Sequence, residues 1–83
     1  MNMELVVIDR VYDKYAVWSY TEQNNVDVID EYVLTKTEMI LGLTSVNEYS
    51  IYKRHGRLGD ELLAVFYNED RARQYLQTLK GVE

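Results

Sequence analysis

The chain has 83 residues, of which 47% are hydrophobic and 28% charged, and it carries a formal charge of −5. A chain this short with this much apolar content reads as one packed domain, residues 1–83, with no room for separate catalytic and binding lobes. Cysteine is absent, which excludes disulfides, thiolate metal sites and a cysteine nucleophile; proline is absent too, which excludes a proline-rich ligand segment.

The first strand expected is Glu4 to Arg10, where apolar residues alternate, and the second is Tyr15 to Thr21, rich in aromatic and β-branched side chains. The four residues between them, with Asp13, suit a hairpin. After Glu22-Gln23-Asn24-Asn25, the segment Val26 to Leu34 sets Val26, Val28, Tyr32 and Leu34 against Asp27, Ile29, Glu31 and Val33, the period of a third strand. Thr35-Lys36-Thr37-Glu38 has the spacing of a capping box, which predicts a two-turn helix carrying Met39, Ile40 and Leu43 on one face and limited by Gly42.

Residues 46–54 are ambiguous between helix and strand, and Tyr49, Ile51 and Tyr52 favour a strand. The two glycines of His55–Asp60 supply a loop into a fifth strand, Glu61 to Tyr67. Asn68 caps a final helix with Glu69 and Asp70 in its first turn; Ala72, Tyr75, Leu76 and Leu79 form its apolar stripe, and Gly81 suits a left-handed C-terminal cap. The expected fold is therefore α+β: an antiparallel sheet of about five strands with two helices, order β-β-β-α-β-β-α, open or curled into a partial barrel. Strands apolar on both faces want cover on both, and two helices cover roughly one face of such a sheet. The bare face then implies a partner or a second copy.

Charge bears on what that partner is. Residues 1–50 hold nine acidic against three basic side chains, and residues 51–83 hold five against six. A negative field repels nucleic-acid phosphates and attracts basic protein surfaces. No apolar run approaches the ~18 residues of a membrane span, and Met1-Asn2-Met3-Glu4 lacks the basic start of a secretory signal, so a cytoplasmic protein without a membrane partner is expected.

No catalytic, metal or cofactor motif is present, and binding rather than catalysis is expected. His55, the only histidine, reads as an exposed loop residue, and Glu69-Asp70 is explained by helix capping. Eight tyrosines in 83 residues is high usage, and tyrosine is enriched at binding surfaces. The candidate partner-binding residues are Asp27, Asp30 and Glu31 with Tyr12, Trp18, Tyr20 and Tyr32. Asp27 and Glu31 fall on one strand face ~13 Å apart, a spacing that imitates a phosphate path toward a basic groove. Lys53, Arg54 and Arg57 offer a competing nucleic-acid reading.

Val7-Ile8-Asp9-Arg10 followed by Tyr15-Ala16-Val17 resembles the first hairpin of several small bacterial β-domains. The tiny, acidic, tyrosine-rich, cysteine-free profile is similar to that of many phage and mobile-element proteins, anti-CRISPR and other anti-defence inhibitors among them. That resemblance implies an inhibitor that occludes a basic protein surface. The alternatives are a structural homodimer joined through the sheet face, with Trp18 and Tyr20 central, and a nucleic-acid-binding module using residues 53–57.

Overall fold

The computed structural model describes residues 4–81, apart from the side chains of Glu4 and Arg57. Four strands, β1 (Glu4–Ser19), β2 (Asn24–Leu41), β3 (Thr44–Arg54) and β4 (Asp60–Phe66), form one antiparallel sheet in the order β1-β2-β3-β4. A 3-10 turn at Gly56–Leu58 joins β3 to β4, and one α-helix among the described residues, α1 (Glu69–Leu79), follows β4. The domain is thus mostly β, with four strands and one α-helix, which corrects the α+β expectation of five strands and two helices.

Two local misreadings account for the difference. The hairpin expected at residues 11–14 does not form: Val11, Asp13, Tyr15 and Val17 pair without interruption with Tyr32, Asp30, Val28 and Val26. None of residues 11–14 is glycine, proline or asparagine, so nothing there opposes extended backbone. The reversal comes later, at Tyr20–Gln23. There the Gln23 N–H donates to the Ser19 carbonyl at 2.7 Å, the Glu22 N–H donates to the Ser19 hydroxyl at 3.2 Å, and Gln23 takes φ 54°.

The helix expected from Thr35 onward is instead the second half of β2. Thr35, Lys36, Thr37 and Glu38 pair with both β1 and β3, and Met39, Ile40 and Leu41 continue the ladder with β3. A two-turn helix is marginal by itself, whereas the strand gains a ladder on both sides. The Thr35 hydroxyl caps nothing; it is buried and donates to the Ser50 carbonyl at 3.3 Å. Gly42 and Leu43 form the two-residue turn into β3, with Gly42 at φ 64°, a first central position that demands glycine.

Residues 46–54 are strand, as their aromatic and β-branched content predicts. The closing helix also lies where its stripe places it. Ala72 and Leu76 are fully buried against Val11, Tyr32, Leu34, Tyr49 and Ile51, with Tyr75 and Leu79 packed at the margin. Phe66 and Tyr75 meet with ring centroids 5.6 Å apart. Arg73 does not face free solvent: it bonds Glu69 at 3.0 Å and Asp9 of β1 at 3.1 Å, tying helix to sheet.

The Asn68 side chain accepts from the Arg71 N–H at 3.1 Å. Replacing Asn68 with alanine should cost about 1 kcal/mol of stability, read as a lowered urea midpoint with unchanged slope. Gly81 is not a left-handed cap, because the helix ends at an extended Lys80. Its N–H donates to the Tyr12 carbonyl at 3.2 Å, and a Cβ there would meet the Asp13 carboxylate and press on its backbone, so a side chain at this position requires Asp13 to shift.

α1 lies on one face of the sheet only. β3 ends at Arg54, opposite Glu31, so beyond that point β1 and β2 continue alone. The eight residues Tyr12–Ser19 and their β2 partners make a two-stranded arm about 25 Å long. It draws the molecule out to 59 × 26 × 15 Å.

Candidate functional site

Strand alternation gives the arm two faces. On the side away from α1 stand Tyr12, Lys14, Ala16 and Trp18 of β1, facing Glu31, Ile29, Asp27 and Asn25 of β2. On the helix side stand Asp13, Tyr15 and Val17 with Asp30, Val28 and Val26. Trp18 is 54% exposed, Ile29 62% and Tyr20, in the tip loop, 87%. Tyr12, Tyr15 and Val17 are also exposed, so the ribbon offers apolar surface on both faces. A two-stranded hairpin has no core of its own, and the core below stops at Val11 and Tyr32, the pair just before this one begins. Residues 12–30 carry four acidic side chains against one basic, a net −3 of the chain's −5.

Asp30 and Glu31 sit at the root, and as neighbours on a strand they point to opposite faces. Each takes a cation from the end of β3: Asp30 pairs with Lys53 at 3.6 Å, and Glu31 with Arg54 at 3.3 Å. Glu31 also holds Arg10 at 3.2 Å, and Arg54 reaches Asp60 at 3.7 Å, so one row of charges crosses all four strands. Hydrogen bonding toward Asp30 raises the Tyr15 phenol above its ordinary 10.0, with burial adding to it; burial raises Tyr32 from the same value; and the Asp30 charge raises Lys53 above 10.5.

All three groups hold their protons more tightly folded than unfolded. Their contribution to stability is complete below the ordinary values and is lost as the pH climbs through the raised ones. The urea midpoint should fall above pH about 10, and Tyr15→Phe should flatten that fall. An equally steep fall in the variant would remove Tyr15 from the account.

The nominated residues therefore separate. Trp18, Tyr12 and Tyr20 are exposed on the arm, and Asp27 is 66% exposed with Lys14 at 3.5 Å. Asp27 and Glu31 do share a face, but Glu31 is committed to two arginines and Asp30 lies on the other face. Tyr32 lies buried beneath α1 and cannot meet a partner. Among the basic loop residues, Lys53 and Arg54 are held by Asp30, Glu31 and Asp60, and His55 Nε2 lies 3.6 Å from Glu61. The side chain of Arg57 lies outside the described set.

Sequence reasoning missed the arm itself, and with it Tyr15, Val17 and Ile29 as exposed residues. The signal was available: Val11, Asp13, Tyr15 and Val17 keep the same two-residue phase straight through the supposed turn.

On the same side as Trp18, at the broad end of the sheet, is an open pocket of about 370 Å³. Val33, Thr35 and Tyr52 form its floor, Leu5 and Val7 one wall, and the row of paired charges its rim. Arg54 pairs there with Asp60, Arg10 with the neighbouring Glu31, and the Thr35 hydroxyl is bound to backbone. Among the described residues no three histidine or carboxylate side chains gather as a metal site, and no helix is long and apolar enough to cross a membrane. Compared with protein-family models, curated proteins and solved structures, the chain matches none. The likeness of its profile to phage inhibitors thus carries no family assignment.

Proposed function

We propose that this chain is a binding protein, an inhibitor or adaptor, whose arm is the recognition element and whose partner is a protein with a basic surface. One observation carries the reading: a net-negative ribbon that exposes Trp18, Tyr20, Tyr12 and Ile29 projects beyond a domain whose core barely uses it. Exposed aromatic side chains supply contact area at low entropic cost, and tryptophan and tyrosine dominate the energetic centres of protein interfaces. The surplus of carboxylates steers the arm toward positive charge and makes association salt-dependent.

Mechanism follows from shape. A rod about 25 Å long reaches into a groove that a rounded domain would only cover, so its action is occlusion and the partner loses access to that groove. Of the loop cations, Lys53 and Arg54 are paired with carboxylates, which counts against the nucleic-acid reading.

The test uses the full chain as bait in a lysate of its native cell, beside a variant in which residues 14–29 are replaced by Asn-Gly. Partners held by the full chain, released by salt and lost with the trimmed arm support the reading. The same partners on both baits would overturn it.

A further inference from the structure

The arm carries two open backbone edges, and their chemistry differs. The Gly81 N–H reaches the Tyr12 carbonyl from outside the sheet, so the backbone of Tyr12 points outward. Backbone direction alternates along a strand, which makes Lys14, Ala16 and Trp18 the next residues whose N–H and C=O face away from β2. The Ser19 carbonyl, turned inward to Gln23, confirms the phase and closes the window at the tip. Within the arm, the free edge of β1 is therefore a window of three outward residues, bounded by the Gly81 contact at one end and by the loop at the other, with Ala16 at its centre.

We propose that this edge pairs antiparallel with the same edge of a second copy, about a two-fold axis through Ala16. An isologous contact must be complementary to itself, and this register is the one that pairs every outward residue: Lys14 with Trp18 of the second copy, Ala16 with Ala16, and Trp18 with Lys14. Each such pair exchanges two backbone hydrogen bonds, about six in all. The lysine meets an indole rather than another lysine, a cation–π arrangement, and the smallest side chain of the window sits on the axis. On the opposite face Tyr15 meets Val17, an aromatic to β-branched pair that stabilises antiparallel ladders.

Other registers do less well. A shift to the Lys14 centre opposes two ammonium groups, and a shift to Val17 leaves Lys14 beyond the window. The edge of β2 is protected against the same contact. Its outward residues are Asn25, Asp27 and Ile29, and an axis at the centre of that window sets Asp27 directly against Asp27. The dimer goes beyond the heterologous reading and is independent of it, because pairing in the plane of the ribbon leaves both faces of each arm open.

Since the chain has no cysteine, a single introduced thiol reports the axis. Ala16→Cys places two thiols across a pair whose Cα atoms are about 5.5 Å apart, within disulfide range. Lys14→Cys places them about 14 Å apart. Under mild oxidation Ala16→Cys should cross-link nearly completely and Lys14→Cys at least tenfold less. Ala16→Pro removes an N–H that the single chain does not use, so it should sediment as one chain with an unchanged circular dichroism spectrum. The wild-type chain should rise from one to two chain masses with concentration. A wild-type mass of one chain at every concentration, a mass growing past two, or equal cross-linking of the two cysteine variants would each overturn the proposal.

Discussion

Replacing Leu34 with alanine should remove about 3 kcal/mol of stability, read as a lowered urea midpoint. Leu34 has no exposed surface, lies on β2 between β1 and Ile51 of β3, and is covered by α1 through Ala72 and Leu76. The hole left by its side chain has strands on two sides and a helix above, none of which can collapse without breaking its own pairing. A chain of this length has a total stability of only about 4 to 12 kcal/mol. One side chain therefore represents a quarter or more of it. Leu43→Ala makes the contrast: that side chain is 109% exposed in the β2–β3 turn, and its loss should change the urea midpoint by less than about 0.5 kcal/mol equivalent. A Leu34 variant as stable as the Leu43 variant would place the core elsewhere.

The second large effect concerns the arm. Replacing residues 14–29 by Asn-Gly joins Asp13 to Asp30, which already face each other across the ladder, through a two-residue turn of the kind antiparallel strands favour. The core pair Val11 and Tyr32, the Gly81 contact at Tyr12 and the Asp30–Lys53 and Glu31–Arg54 pairs all remain. What goes is exposed: Trp18, Tyr20, Ile29 and Asp27, together with the free edge around Ala16. Stability should change by no more than about 1 kcal/mol, because neither face of the removed ribbon is covered by the rest of the chain. Binding should be lost altogether, since truncating even one central aromatic of an interface commonly costs 2 kcal/mol or more, about 30-fold in affinity. Few substitutions separate fold from recognition so widely.

Much of the fold was legible in the sequence. The helix Glu69–Leu79 declared itself through Asn68, two acidic residues and a clean apolar stripe, β3 through Tyr49, Ile51 and Tyr52, and β4 as the apolar run that follows the glycine loop. What failed were two decisions that local chemistry leaves balanced. Thr35-Lys36-Thr37-Glu38 satisfies a capping box and strand alternation equally well, and the tie is broken by β1 and β3, distant in sequence, which offer a ladder on each side. At residues 11–14, Asp13 is compatible with a turn, but no glycine or asparagine beside it supplies the positive φ that a tight hairpin needs.

Both errors had consequences for the site. Splitting β1 hid the arm, and inventing a helix supplied cover that the sheet does not have. Tyr32 was misplaced for a different reason. Its two-residue phase puts it beside Leu34, and that neighbour, fully buried, already marked the face as interior. Asp30 and Glu31 carried no signal that they would be consumed by Lys53 and Arg54, because the pairing depends on where β3 ends.

The claim at the centre is that the arm serves recognition and the fold does without it. The most direct measurement is the unfolding free energy of the chain with residues 14–29 replaced by Asn-Gly, compared by urea titration with the intact chain. The account predicts a cooperative transition with a free energy within about 1 kcal/mol of the intact chain. A trimmed chain that no longer unfolds cooperatively, or that loses several kcal/mol, would show that the arm belongs to the core and would contradict it.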